Sequence, residues 1–178
     1  MMTQPAFRSL SDQDEALIAD TVKGANDILE IGSRYGDSSL ILAREARKNG
    51  GKLYCVECDP QESWRERMDK AGLIDNIVML EMVSPWVDYT RLPREINYLL
   101  IDGDHRTSRA IADFHFFQPL VTKGGFVAFH DTCFKEERCG FMVSRAIDII
   151  LEEYPNYEAY KECKGKFGTK VLVKRYEL

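Results

Sequence analysis

The sequence predicts one α/β domain: a doubly wound, seven-stranded, mostly parallel sheet with an antiparallel C-terminal strand and helices on both faces. Three observations lead there. The chain has 178 residues, the size of one domain and enough to bury one sizeable core. Apolar runs of strand length alternate with helix-length stretches almost without a break from Asp27 to Glu153. Two further β runs close the chain as an antiparallel pair. Alternating β and α units imply parallel strands covered on both faces, with ligands at the strands' carboxyl ends near the topological switch point.

The elements follow in order. A helix is expected from Ser11 to Lys23, opened by a serine cap and acidic residues. Asp27 to Ile31 is a short apolar run ending in glycine, the first strand. A helix through Ser38 to Lys48 stops at Gly50-Gly51, and Leu53 to Glu57 is the second strand. Another helix starts near Pro60, and Ile77 to Leu80 and Tyr98 to Ile101 give strands three and four. A helix from Thr107 to Leu120 precedes Lys123-Gly124-Gly125, and strand five is Phe126 to Phe129. A helix from Gly140 to Glu153 and the runs Tyr157 to Cys163 and Lys170 to Tyr176 complete the chain. There is no repeat, low-complexity tract or Pro/Gly/Ser linker to divide it.

Composition narrows the class. With 44% hydrophobic and 30% charged residues the chain reads as an ordinary soluble globular protein. Its net charge of -5 disfavours a broad nucleic-acid or anionic-membrane surface. Met1 to Leu10 lacks the basic start and apolar run of a signal peptide, and no apolar stretch approaches membrane-spanning length, so a cytoplasmic location is expected. The five cysteines, at 55, 58, 133, 139 and 163, read as reduced thiols. Cys55 and Cys58 form a CxxC inside an apolar run, where strand geometry sends them to opposite faces, so both are expected to be buried and structural rather than redox-active.

The polar residues gather where the strands end. Strand one runs into Glu30-Ile31-Gly32-Ser33-Arg34-Tyr35-Gly36-Asp37-Ser38, a glycine turn followed by a helix N-terminus able to receive a carboxylate. Glu57 ends strand two, about twenty residues on, where a doubly wound nucleotide site places its acceptor for ribose hydroxyls. The glycine spacing is GxxxG rather than GxGxxG, and no phosphate loop is present, so a ligand with a ribose but no phosphates fits better.

On four motifs taken jointly the chain resembles the class I S-adenosylmethionine-dependent methyltransferases. Within them it is nearest the catechol, caffeoyl-CoA and macrocin O-methyltransferase-like branches, the broad methyltransferase 24 type. The motifs are Leu-Glu-Ile-Gly-Ser-Arg-Tyr-Gly-Asp-Ser, Leu-Tyr-Cys-Val-Glu-Cys-Asp-Pro, Tyr-Leu-Leu-Ile-Asp-Gly-Asp-His and Gly-Gly-Phe-Val-Ala-Phe-His-Asp-Thr. The likeness runs from Ile28 to Tyr176 and implies one Rossmann-like, S-adenosylmethionine-binding domain over residues 1–178, with an N-terminal helical segment over 1–24. It further implies that Glu30 and Gly32 line the methionine end of the cofactor, Ser38 meets its carboxylate, Glu57 holds the ribose and Ser84 lies near the adenine. Ser33, Arg34, Gly36 and Cys58 complete the expected cofactor contacts, and Asp102 faces the amino group and the active site. Gly32 is expected to approach the cofactor with no room for a side chain. Met82 stands where such relatives often carry glycine, a departure at the adenine contact.

The chemistry is expected in Asp102-Gly103-Asp104-His105 and His130-Asp131-Thr132, after strands four and five. Asp102, His105, His130 and Asp131 are the candidate catalytic residues. The resemblance implies a divalent metal held by Asp102, His130 and Asp131, with Asp104 a further candidate ligand. His130 stands where the family has a carboxylate or an amide, which points either to a softer metal than magnesium or to His130 or His105 as a general base. The plainer alternative is that Asp104 caps the following helix and Asp131 fixes the loop toward Cys133. His115, among Phe114, Phe116 and Phe117, is assigned to packing or surface, and the aromatic run to a helix face against the sheet.

Two other classes share the fold. A nicotinamide-dependent oxidoreductase requires GxGxxG, and a non-catalytic interaction protein has no need of these acids and histidines. The basic stretch Lys161, Lys164, Lys166, Lys170, Lys174 and Arg175 reads as solvated charge on the closing β pair. The expected partner is a small hydroxylated acceptor, with a second subunit or the loop from Cys133 to Cys139 as candidates for completing its pocket.

Overall fold

A computed structural model describes residues 8–133 and 142–177. Ser11 opens helix α1 (Asp12–Thr21) with a capping box: its Oγ accepts the Asp14 N–H at 3.3 Å while the Asp14 carboxylate accepts the Ser11 N–H at 3.1 Å. The helix stops short of Lys23, where Thr21 turns its hydroxyl back onto the Leu17 carbonyl. There follow β1 (Ile28–Ile31), α2 (Asp37–Lys48), β2 (Leu53–Glu57), α3 (Glu62–Lys70), β3 (Ile77–Glu81) and β4 (Ile96–Ile101). The rest of the chain gives α4 (Thr107–Phe117), β5 (Val121–His130), α5 (Val143–Glu153), β6 (Tyr157–Cys163) and β7 (Thr169–Lys174).

The seven strands order as β3-β2-β1-β4-β5-β7-β6. Strands β1 to β5 are mutually parallel, and β7 lies antiparallel to both β5 and β6. Because β1 pairs with β2 on one side and β4 on the other, the switch point lies between β1 and β4. Strand alternation splits the core in two. Leu29, Ile31, Leu99, Ile101, Val127 and Phe129 pack with α4 and α5, while Ile28, Leu53, Cys55, Tyr98, Leu100 and Ala128 pack with α1, α2 and α3. No described helix is long and apolar enough to cross a membrane.

Four expectations are corrected. Strand five begins at Val121, not Phe126: Val121 pairs with Ile96 and Phe126 with Tyr98, so residues 122–125 bulge out opposite Asn97, and the glycines sit inside the strand's span. Cys58 is exposed rather than buried, because the strand ends at Glu57 and releases it. Lys174 is not solvated: it is 3% exposed, donates to the Val121 carbonyl at 2.7 Å and pairs with Glu177. Helix α4 ends at Phe117, and Gln118–Leu120 tighten into a 3-10 turn around Pro119. Gly140, Cys139 and most of the loop from Cys133 to Cys139 lie outside the described residues.

Candidate active site

A cavity of about 870 Å³ opens at the carboxyl ends of β1, β2, β4 and β5. Its floor is set by the turn after β1. Gly32 has φ +84°, and a Cβ there would lie 2.3 Å from the Asp102 carbonyl oxygen and 2.7 Å from the carbonyl carbon. The crowding at Gly32 therefore comes from the backbone after β4, which the Asp102 N–H to Ile31 carbonyl bond at 2.8 Å holds against it. Glu57 fixes the other side: Oε2 accepts the N–H groups of Ser33 and Arg34, both at 2.9 Å, and Oε1 accepts that of Asp59 at 2.8 Å. Burial alone would raise its pKa, but these backbone donors more than offset that and hold it low, so Glu57 stays charged beside the cavity.

Of the expected cofactor residues, Gly32, Ser33, Arg34, Ser38, Glu57, Cys58, Ser84 and Asp102 line the cavity; Glu30 and Gly36 do not. Gly36 adopts φ +85°, and a Cβ there would stand 2.8 Å from Trp64 and Met68 of α3, so it serves the turn and the packing. Glu30 is wholly buried beneath the floor, where Ser38 Oγ donates to it at 2.5 Å, Ser39 Oγ at 2.6 Å and Cys55 Sγ at 3.2 Å. Ser38 thus links the cavity wall to this buried carboxylate.

Burial pushes the Glu30 pKa up to about 7, against the serine hydroxyls that oppose it. A carboxyl whose folded pKa exceeds its unfolded value takes up a proton on folding, so its contribution is lost as pH rises from about 4.5 through about 7. Glu30→Gln should therefore gain stability over the parent between pH 5 and pH 8, by on the order of 2 kcal/mol at pH 8. Urea unfolding at the two pH values measures this, and a difference independent of pH would rule it out.

Four polar side chains converge where β4 and β5 end. Asp102 Oδ1 lies 3.0 Å from His130 Nδ1, and His105 Nε2 lies 3.1 Å from Asp131 Oδ2 and 3.8 Å from Asp102 Oδ1. One donor atom each from Asp102, His105 and Asp131 falls within 4.8 Å of the others, a set able to hold a metal ion. The sequence reading put His130 in that set. The structure groups His105 with the two carboxylates; His130 also lines the cavity, but at 2% exposure, because β5 alternation turns it toward the α1 face with Ala128. On that side its Nε2 stands 3.8 Å from Asp14 Oδ2, too far for a hydrogen bond, though within ion-pair range. Burial would lower the His130 pKa, yet Asp102, Asp14 and Asp131 outweigh it and raise it to about 11. Asp131 sits at φ +58°, a backbone strain of the kind that gathers at functional sites. Asp104 lines the cavity and accepts the Arg106 N–H at 3.1 Å and its guanidinium; Arg106 is itself the N-cap position of α4, and no side chain caps the helix, so Asp104 holds the turn before it rather than capping it as the plainer reading had it. His115 is exposed, bonded to the Tyr154 hydroxyl at 2.6 Å.

Four wall or support residues escaped the sequence reading. Asp14 had a signal only as part of the helix cap, and Ser9 and Phe167 come from segments far from the motifs. Asp113 carried a clearer one: it lies with Ala110, Phe114 and Phe117 on the buried stripe of α4, an acid where helical spacing asks for an apolar side chain.

Residues 29–132 match a family model described as a methyltransferase domain. The chain is 34% identical over 145 residues to an uncharacterized protein of Acanthamoeba polyphaga mimivirus, covering 75% of this chain and 63% of that protein. It is 26% identical over 153 residues to a rhamnosyl O-methyltransferase of Mycobacterium leprae, covering 79% and 66%. The chain thus spans just under two thirds of the length of each of these relatives. In fold it is like the O-methyltransferase from Bacillus cereus solved in complex with S-adenosylhomocysteine. The TM-score is 0.78 and the identity 20%, over 96% of this chain and 84% of that one.

Proposed function

The chain belongs to the methyltransferase-domain family, and we propose that it transfers the methyl group of S-adenosylmethionine to a hydroxyl of a small acceptor. One observation carries the reading: the glycine turn with its charged Glu57 and the acid–histidine cluster open into the same cavity. Residues in that cavity fit the cofactor. Glu57 is an ionised acceptor suited to two ribose hydroxyls, and Ser33 Oγ is buried beside the turn with no hydrogen-bond partner among the described residues. An oxygen acceptor is supported by the relatives' names, and the rhamnosyl enzymes among them favour a polyhydroxylated, sugar-like one.

Methyl transfer from a sulfonium is an in-line displacement, so the protein must align the acceptor oxygen and free its lone pair. Asp102 sits at the switch point between the turn and the cluster, placed to orient both the cofactor's amino end and the acceptor. Of the two histidines, His105 lines the cavity half-buried, within hydrogen-bond distance of Asp131, and can take the acceptor's proton; His130, 2% exposed, instead holds the Asp102 carboxylate from behind. The two carboxylates and one imidazole also suit a divalent ion of borderline softness, which would act as a Lewis acid on the acceptor hydroxyl.

Calorimetry with S-adenosylhomocysteine tests the reading, followed by a screen of hydroxylated small molecules with radiolabelled cofactor. Glu57→Ala should weaken S-adenosylhomocysteine by about thirtyfold, the loss of a charge-assisted pair of hydrogen bonds worth about 2 kcal/mol. Equal affinity for variant and parent would sink the ribose assignment.

A further inference from the structure

The turn between β6 and β7 reaches the acid–histidine cluster from the antiparallel side of the sheet. Thr169 pairs with His130 across β7 and β5, and the two residues before it are tied to the chain beyond His130. The Gly168 carbonyl accepts the Thr132 N–H at 3.1 Å, and the Phe167 carbonyl accepts that of Cys133 at 2.7 Å. So held, the half-buried Phe167 becomes part of the cavity wall, its ring centroid 5.8 Å from that of His130 and tilted by 51°. Lys166 sets its ammonium 4.8 Å from the same ring and is not itself part of the wall. The cavity's other aromatic residues, Tyr35 and Trp86, follow β1 and β3, whereas the wall beside Phe167 carries Asp102, His105, His130 and Asp131. One aromatic surface therefore stands among polar ones at the end of the cavity where the chemistry is placed.

We infer that Phe167 is the platform on which a pyranose acceptor lays its C–H face, with Asp102, His105 and Asp131 taking hydroxyls along the ring's edge. The inference rests on the reading of an oxygen-methylating site above and names the shape of its acceptor. A pyranose has the asymmetry of this wall. It can turn a patch of weakly positive C–H hydrogens to the negative face of an aromatic ring, while its rim is a series of hydroxyl donors that carboxylates accept with charge assistance. A flat catechol has two apolar faces, and beside the cluster only one of them finds an apolar partner among the described residues.

Saturation-transfer NMR titrations of methyl α-L-rhamnopyranoside and of catechol, with S-adenosylhomocysteine held at saturation, test this on the parent, Phe167→Ala, Phe167→Leu and Phe167→Trp. The parent should bind the rhamnoside more tightly than catechol, with saturation concentrated on the C–H hydrogens of one sugar face. Phe167→Ala should weaken the rhamnoside by about tenfold, from lost burial and lost ring contact together. Phe167→Leu keeps apolar bulk at the turn but removes the ring, and should still weaken it by about threefold or more, whereas Phe167→Trp should retain it. S-adenosylhomocysteine affinity, read by calorimetry, should change by less than about twofold in all three variants. A parent that binds S-adenosylhomocysteine but prefers catechol or ignores the rhamnoside overturns the inference alone. So does a Phe167→Leu variant that binds the rhamnoside as the parent does, or one that loses S-adenosylhomocysteine equally, because the ring would then serve packing and not the acceptor. A parent that does not bind S-adenosylhomocysteine overturns the methyl-transfer reading, and this inference with it.

Discussion

Gly32→Ala should destabilise the protein by about 3 kcal/mol or more and, in what remains folded, lower S-adenosylhomocysteine affinity at least tenfold. Two costs add. A side chain at φ +84° carries a left-handed strain of about 1–2 kcal/mol. The new Cβ would also stand 2.3 Å from the Asp102 carbonyl oxygen, and relieving overpacking of this kind costs typically about 1–3 kcal/mol. The neighbour is backbone at the junction of two central strands, so it can yield only by moving Asp102, which displaces the cavity wall along with it. Gly24 supplies the control. It has almost the same φ, +83°, but nothing within 4 Å of a Cβ, so Gly24→Ala should show the strain alone, about 1 kcal/mol. Urea unfolding of both variants separates strain from collision. A Gly32→Ala loss no larger than that of Gly24→Ala would show that the turn is not pressed against β4 in solution.

The contrast between those glycines marks what the sequence could and could not reveal. Both glycines share a left-handed φ, and only the pairing of β1 with β4 makes one of them indispensable. Strand β2 was legible to the residue, because its apolar run is bounded by Gly50-Gly51 and by Pro60. The start of β5 was not, because residues 122–125 look like a terminating turn and are held in the sheet only by Val121 pairing with Ile96. The same division runs through the site. Glu57 and the two acid–histidine motifs stood out by position after predicted strands, and the structure brings them to one cavity. That His130 is the deeper of the two cavity histidines depended on alternation along β5 carried as far as His130, a signal present in the sequence. The turn of His105 over the carboxylates depended on the loop after β4, where Asp104 is tied to Arg106, and no periodicity reports that. Glu30 shares its strand face with Ile28 and Cys55, so its direction was readable, but its depth depends on Ser38 and Ser39 closing over it from α2.

Exhaustive chelation should abolish methyl transfer, and manganese, iron(II) or another borderline divalent ion should restore it at least as well as magnesium. The expectation follows from the donor set. Magnesium prefers oxygen ligands in near-ideal octahedral geometry, whereas two carboxylates with one imidazole shift the preference toward softer ions. Asp131→Asn and His105→Ala should each weaken metal binding by at least about tenfold to a hundredfold, the range found even for residues that only support a metal's ligands. Neither variant should weaken S-adenosylhomocysteine by more than about threefold, since that affinity is expected to rest on the glycine turn, Ser38 and Glu57. His130→Gln distinguishes support from ligation: it removes the ring that holds Asp102 at 3.0 Å but leaves the three converging donors in place, so it should cost less metal affinity than His105→Ala. The reverse order would return His130 to the ligand set. If transfer instead survives chelation undiminished, no metal takes part, and the acceptor's proton must pass to a side chain. His105, the more exposed of the two histidines that line the cavity, then becomes the base, and His105→Ala should abolish transfer while leaving S-adenosylhomocysteine affinity as it was.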